Sequence, residues 1–189
     1  MPPFSAVLLA AGRSTRMGRD KALLDVGGTP LWQRQRDVLR AADAAEILLS
    51  ARADQSWTAN ASGFVAVVPD AAPDCGPLGG LVAALERAAH PHLAVLAIDL
   101  PRLEAAWFTT LLSACAPGVG AVGRRGDFFE PLAAIYPCEL LLLARDALAR
   151  REYSLQRLLT AAVARGLLRA REIAAAESPQ FENWNEPSV

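Results

Sequence analysis

The strongest constraint on the fold is a regular alternation of short apolar runs with helical patterns. The apolar runs have the length of strands and lie at Phe4–Ala10, Glu46–Ser50, Phe64–Val68 and Leu93–Ile98. The helical patterns run from a predicted cap at Thr29-Pro30 to about Ala42, and over Leu78–Ala89 and Glu104–Ala114. Continuous apolar strands are typical of a parallel sheet that helices cover on both faces. The alternation therefore predicts an α/β fold with a doubly wound, mostly parallel sheet, whose strand-to-helix loops meet at one edge.

The pattern changes after Gly120. The stretch GAVGRRGDFFEPLAAIY predicts two strands joined by a Gly-Asp turn, which is a small antiparallel excursion from the parallel sheet. Helices are predicted at Glu139–Arg150 and at Ser154–Arg165, the second ending at Gly166, and a last strand near Leu167–Glu172. With 189 residues, the chain is expected to form a single domain over residues 1–189.

Composition argues against several classes of protein. The formal net charge is −1, without the excess of Lys and Arg that binding to a phosphate backbone requires, so we expect no nucleic-acid partner. The three cysteines lack a CxxC spacing, which favours a reducing, cytoplasmic location over a disulfide framework or zinc site. No apolar run approaches the roughly 18 residues of a spanning helix, so no membrane association is expected.

His90 and His92 flank Pro91 and are predicted to be exposed loop residues.

The loop after the first predicted strand is basic. Residues 8–24 read LLAAGRSTRMGRDKALL, with glycine spacings that fit neither GxxxxGK[ST] nor GxGxxG. Arg13 and Arg16 could hold phosphate oxygens in a forked manner, and Lys21 could place a point charge on one phosphate. Lys21 is the only lysine among 19 basic residues, which suggests that a compact ammonium is needed there. We predict a phosphate-binding loop; the alternative is a solvated basic turn.

A second candidate site is the stretch PDAAPDCGPLGGL at residues 69–81. Gly79 and Gly80 fall in the first turn of a predicted helix, where each glycine costs about 1 kcal/mol relative to alanine. We therefore expect a ligand to approach the backbone at this helix N-terminus. Asp70 follows a predicted strand and could accept a hydrogen bond from a base or a ribose hydroxyl, unless it is a plain turn residue.

The third candidate is Asp99, in the stretch LAVLAIDLP. Its carboxylate comes directly after an apolar run that is expected to be buried, where an unpaired charge is costly. Mg²⁺ prefers one or two carboxylates together with substrate phosphates, so Asp99 is predicted to be a metal ligand. Capping of the next helix is the alternative.

Four stretches, LAAGRSTRMGRDKALL, DCGPLGGL, IDLP and FENWNEP, together resemble the molybdenum cofactor guanylyltransferase (MobA) family of nucleotidyltransferases, and the resemblance runs almost end to end. It implies a Rossmann-like nucleotidyltransferase fold, GTP and molybdopterin as substrates, and Mg²⁺. Catalytic roles are predicted for Lys21, Asp99 and Arg16, with Asp99 also the metal ligand. Combined with the motifs above, the predicted nucleotide and cofactor site comprises Leu9, Ala10, Ala11, Gly12, Arg13, Lys21, Ser50, Asp70, Gly76, Gly79, Gly80, Asp99, Asn183 and Asn185.

The reaction implied by the resemblance is transfer of GMP from GTP to the terminal phosphate of the molybdenum-loaded pterin, with release of pyrophosphate. Molybdoenzymes or their chaperones would receive the product. Ala-Ala-Gly is also found in the cytidylyltransferase relatives, whereas GPLGGL favours the guanylyl branch. The alternatives are therefore a cytidylyltransferase, a guanylyltransferase for another phosphorylated acceptor, or a binding module that delivers a cofactor without turnover. The retention of Lys21 and Asp99 argues against the last of these.

Overall fold

Seven strands and five helices follow one another in a computed structural model that describes residues 2–12, 20–71 and 74–183. The strands are β1 Ser5–Leu9, β2 Glu46–Ser50, β3 Ala66–Val68, β4 His92–Ala97, β5 Gly120–Arg125, β6 Phe128–Pro137 and β7 Leu168–Glu172. The helices are α1 Leu31–Ala41, α2 Pro77–Arg87, α3 Ala105–Ala114, α4 Leu140–Ala149 and α5 Leu155–Ala164. Short 3₁₀ helices lie at Lys21–Leu23, Ser56–Asn60 and Ser178–Phe181.

All seven strands form one sheet in the order β3-β2-β1-β4-β6-β5-β7. β1 pairs in parallel with β2 and β4, and β2 pairs in parallel with β3. β6 runs antiparallel to both β4 and β5, and β7 returns parallel to β5. These pairings confirm the predicted mostly parallel sheet and its antiparallel excursion.

Helices cover both faces of the sheet, which confirms the doubly wound arrangement. Along β1, Ala6 and Leu8 pack into a cluster with residues of α1 and α3, whereas Val7 and Leu9 pack into a cluster with residues of α2, α4 and α5. This alternation follows from the two-residue period of a strand. Because both faces are covered, the central strand carries apolar side chains on each side, as its sequence predicts.

The entry into α1 differs from the prediction. Thr29 is not its N-cap: α1 begins at Leu31, Pro30 occupies the cap position, and no side chain caps the helix. The preceding residues instead form a tight turn, closed by a 2.8 Å hydrogen bond from Val26 N to Thr29 O. Gly27 and Gly28 supply the positive φ angles of 65° and 87° in this turn. The glycine pair therefore outweighs the capping preference of threonine.

The prediction of an exposed loop was wrong for His92. This residue begins β4 and is only 4% exposed. Its Nε2 lies 3.1 Å from each of the carbonyl oxygens of Ala116 and Val119, which form the turn between α3 and β5. His92 is thus a buried side chain that ties a strand to a neighbouring turn.

No helix in the described ranges combines the length and apolarity needed to span a bilayer.

Candidate nucleotide site

A cleft of about 740 Å³ opens at the carboxyl ends of the four parallel strands. Right-handed crossovers bring the segments after β1, β2, β3 and β4 to this one edge of the sheet, where ligands bind in open α/β folds. The antiparallel half contributes Leu132 of β6. Eight of the residues predicted from the sequence line the cleft: Leu9, Ala11, Gly12, Ser50, Asp70, Gly76, Gly80 and Asp99.

The other predicted residues that the structure describes are not part of the cleft lining. Ala10 and Gly79 are buried but are not among the residues that line the cleft. Lys21 begins the 3₁₀ helix Lys21–Leu23, is partly exposed and is also absent from the lining. Asn183 is exposed and ends the last described range, apart from the cleft lining. Arg13, Arg16 and Asn185 lie outside the described residues, so their predicted roles stay predictions.

Asp70 and Ser50 form a polar pair on the wall of the cleft. Ser50 is 1% exposed and its Oγ donates a hydrogen bond of 3.3 Å to Oδ1 of Asp70. Burial raises the pKa of the Asp70 carboxyl above its ordinary value, although the bond from Ser50 and the charge of Arg52 oppose the shift. The carboxylate is thus partly desolvated and retains acceptor capacity toward the cleft.

Gly80 is required by the packing of neighbouring protein side chains. A Cβ at this position would lie 2.7 Å from Ser50 Oγ, 3.0 Å from Leu9 Cδ2 and 3.2 Å from Asp70 Oδ1. The close approach that the sequence predicts at this glycine is therefore made by side chains of β1, β2 and the segment after β3. Gly76 has a different reason, because it precedes α2 with a φ of 61°, in the left-handed region that favours glycine.

Asp99 lies in the turn after β4 and lines the cleft together with Ala97 and Ile98. In the described ranges no three His, Cys, Asp or Glu side chains are grouped so that they could enclose a metal ion. One carboxylate at the wall of an open cleft nevertheless fits Mg²⁺, which takes one or two protein carboxylates and completes its shell with water and substrate phosphates. The donor set fits a cation that is shared with a nucleotide rather than one held in a protein cage.

Arg52 is a residue of the site that sequence reasoning missed. Its Nη1 donates hydrogen bonds of 2.7 Å to Ala11 O and 2.8 Å to Gly12 O, and its Nε contacts Asp54 Oδ1 at 3.0 Å. Two carbonyls of the basic loop are thus turned toward a guanidinium. The only signal in the sequence is the position of Arg52 two residues after β2, at the ligand edge.

Gln55 and Trp57 hold the other end of the basic loop. Gln55 Nε2 bridges Ala10 O at 3.0 Å and Asp20 Oδ2 at 2.6 Å, and Trp57 Nε1 donates to the same Oδ2 at 2.9 Å. The second oxygen of Asp20 accepts from Ala22 N at 3.0 Å. These contacts occupy both oxygens of Asp20, the residue directly before Lys21, so this acid anchors the loop to the segment after β2.

Comparison with known proteins identifies the family. The MobA-like NTP transferase domain matches residues 6–172. A probable molybdenum cofactor guanylyltransferase of Opitutus terrae is 45% identical over 97% of this chain and 91% of its own length. The molybdenum cofactor guanylyltransferase of Pseudomonas putida strain GB-1 is 34% identical over 100% of this chain and 96% of its own length.

Solved structures share the fold at lower identity. Molybdopterin-guanine dinucleotide biosynthesis protein A from Archaeoglobus fulgidus superposes with a TM-score of 0.75 at 19% identity, covering 97% of this chain and 93% of its own. A nucleotidyl transferase from Methanothermobacter thermautotroptrophicus gives a TM-score of 0.76 at 22% identity, covering 97% and 92%. With a family match over most of its length and relatives above 30% identity, the chain belongs to the MobA-like NTP transferases.

Proposed function

We propose that this protein transfers GMP from GTP to the terminal phosphate of the molybdenum-loaded pterin and releases pyrophosphate. The observation that carries the proposal is the cleft at the carboxyl ends of the parallel strands, where Asp70 and Asp99 lie on opposite sides of β1 in strand order. The relatives named guanylyltransferase, which match nearly the whole chain, support this function.

The guanine base is proposed to bind on the Asp70 side of the cleft. The Watson–Crick edge of guanine carries N–H donors at N1 and N2, which a carboxylate can accept as a pair. Asp70 is held by Ser50 and partly desolvated, so a donor pair that stabilises its charged form would gain from binding there. Cytosine offers a single exocyclic amino group on the corresponding edge and would satisfy this carboxylate less completely.

The phosphates are proposed to lie between the basic loop and Asp99. Arg13, Arg16 and Lys21 supply positive charge from the loop, and Asp99 would hold Mg²⁺. When bound, the cation would neutralise charge on the phosphate oxygens. Arg52, Gln55 and Trp57 hold Ala10, Ala11, Gly12 and Asp20, the described residues on either side of the loop, in fixed positions. The rate would then come from positioning and electrostatics, since the protein contributes no covalent step.

The acceptor is proposed to approach from the antiparallel half of the sheet and the C-terminal segment, where Asn183 and Asn185 match the family motif. One domain over residues 1–189 would carry both subsites. We place the enzyme in the cytoplasm and expect molybdoenzymes or their chaperones to receive its product.

The function is tested by incubating the full chain with molybdopterin, Mg²⁺ and labelled GTP or CTP, and identifying the dinucleotide by mass spectrometry. A guanine dinucleotide with stoichiometric pyrophosphate is expected from GTP, with little product from CTP. A cytosine dinucleotide would make the protein a cytidylyltransferase. Nucleotide binding without pyrophosphate release would overturn the enzymatic proposal, and product only with another phosphorylated acceptor would overturn the proposed acceptor.

A further inference from the structure

A polar residue interrupts the buried stripe of α1. Leu31, Gln35 and Leu39 are spaced four residues apart and are all fully buried. Such spacing places them on one helix face, which in α1 packs against the sheet. Gln35 therefore places a polar amide at a buried position where an apolar side chain would be expected.

The amide of Gln35 is only half satisfied. Its Oε1 is buried and has no hydrogen-bond partner in the part of the chain that the structure describes. A buried acceptor without a donor destabilises the folded state, so the residue reduces stability at this atom. Any contribution of Gln35 that offsets this cost must come from its Nε2 group.

That other end holds the turn that bears Asp99. Gln35 Nε2 donates to Leu100 O at 2.8 Å and to Ala97 O at 3.3 Å, the carbonyls on either side of Ile98 and Asp99. The neighbouring Arg34 adds a bond of 3.0 Å from its Nε to Pro101 O. Arg34 and Gln35, neither of which lines the cleft, thus hold three carbonyls of one turn.

We propose that Gln35 is a positioning residue that orients Asp99 for a divalent cation arriving with the nucleotide. The inference rests on the proposed function of Asp99. Gln35 does not line the cleft and cannot touch a ligand there, so its effect must pass through the backbone on both sides of Asp99. Groups that hydrogen-bond a metal ligand directly typically change metal affinity by about 10- to 100-fold when removed, and we take the lower end of this range for Gln35, which acts through the backbone.

The test is the Mg²⁺ dependence of GTP binding, measured by calorimetry on the full chain. In Gln35→Met, which removes both polar ends at similar volume, we expect the Kd for GTP in EDTA to stay within about twofold. The Mg²⁺ concentration for half-maximal tightening should rise about 10-fold. The matched control Gln33→Met, on the same helix but with no side-chain hydrogen bond to this turn in the described part of the chain, should leave both quantities unchanged. A purely structural role would instead weaken binding equally with and without Mg²⁺, which would overturn the proposal.

Two further variants keep the test decisive. The double variant Gln35→Met/Asp99→Asn should bind GTP in the presence of Mg²⁺ as tightly as Asp99→Asn alone, because Gln35 acts through Asp99. If Gln35→Met does not fold, Arg34→Met provides the readout: Arg34 is exposed, and its loss should raise the required Mg²⁺ concentration about two- to threefold. Additive losses in the double variant, or no change in Arg34→Met, would contradict the inference. Absence of dinucleotide formation by the wild type would defeat the proposed function while leaving these binding measurements interpretable.

Discussion

Two carboxylates at opposite ends of the parallel strands have opposite environments: Glu46 lies at the amino ends, which we call the amino edge, and Asp70 at the carboxyl ends, which we call the carboxyl edge. At the amino end of β2, Glu46 Oε1 accepts 2.6 Å and 2.7 Å hydrogen bonds from Ser5 Oγ and Ala89 N. Burial alone would raise its pKa, but these bonds lower the pKa below its ordinary value. At the carboxyl end, Asp70 contacts Ser50 Oγ at 3.3 Å and its pKa is raised by burial.

The difference separates a carboxylate that stabilises the fold, Glu46, from one that we propose to bind the nucleotide, Asp70. Glu46 joins β1, β2 and the loop after α2, so its charge stabilises the native state. Burial disfavours the charged form of Asp70 in the free protein. A ligand that donates hydrogen bonds to this carboxylate would stabilise the charged form and would therefore bind more tightly. A site of this kind reduces stability until the ligand binds, as is common where function conflicts with packing.

The largest effect is expected at the carboxyl edge, from Asp99→Asn. If Asp99 is the metal ligand that we propose, an amide cannot replace its charge, and turnover should fall about 10³-fold at any Mg²⁺ concentration while the fold stays intact. Steady-state pyrophosphate release and circular dichroism measure the two quantities. The matched control Asp127→Asn, an exposed residue of the β5–β6 turn, should keep wild-type kinetics. Wild-type activity in Asp99→Asn would make Asp99 a structural residue.

Lys21 should give the next largest effect. Lys21→Ala is expected to lower kcat about 10²–10³-fold, the range for loss of one preorganised electrostatic donor. Lys21→Arg should also lose most activity, because a planar guanidinium cannot occupy the place of a compact ammonium. Both rates are measured as pyrophosphate release at saturating GTP and acceptor. An Arg variant as fast as the wild type would show that the loop needs only positive charge at this position.

Asp70→Asn should affect nucleotide binding more than the chemical step. We expect KM for GTP to rise about 10-fold with kcat changed less than threefold, and the preference for GTP over CTP to shrink, because an amide accepts one of the two base donors poorly. Competition kinetics with both nucleotides measure this preference. An unchanged KM would assign Asp70 to the turn alone.

The smallest effect on activity is expected from Glu46→Gln. The lowered pKa of Glu46 means that the native state favours its charged form. The stabilisation of the native state by this charge is present above the unfolded-state pKa and is lost as pH falls through the folded-state pKa. The variant should therefore unfold about 2–4 °C lower than the wild type at pH 7, equivalent to about 1 kcal/mol, and approach it at acidic pH. Scanning calorimetry across pH tests this. A deficit that persists at low pH would assign the loss to packing.

Much of the fold was predictable because its central strands, β1 and β4, are buried on both faces. The apolar runs of β1 and β4 identify central parallel strands, and the handedness of the crossovers then places Asp70 and Asp99 at one edge. The short β3 was harder to predict, since the strand covers only Ala66–Val68 of the predicted Phe64–Val68. The strand begins later than its apolar character indicates.

The supports of the site could not be predicted in the same way. Arg52, Gln55 and Trp57 lie in a segment without helical or strand periodicity, and their partners are backbone carbonyls and Asp20, distant in sequence. Gln35 is visible in the sequence as a polar residue in an apolar stripe. The carbonyls to which its side chain donates depend on where α1 crosses the end of β4, which the sequence does not give. His92 is buried for a similar reason, because a tertiary turn supplies the carbonyls that its ring contacts.

The most direct test of the contrast between the two edges is a thermal-shift experiment on three proteins with and without Mg²⁺-GTP. Without ligand, Glu46→Gln should melt below the wild type and Asp70→Asn at or above it, because the raised pKa of Asp70 reports a charge that the fold disfavours at neutral pH. With ligand, Glu46→Gln should keep the full wild-type increase in Tm, and Asp70→Asn should lose most of it. A full GTP-induced shift in Asp70→Asn, or its loss in Glu46→Gln, would contradict the assignment of binding to the carboxyl edge and of stability to the amino edge.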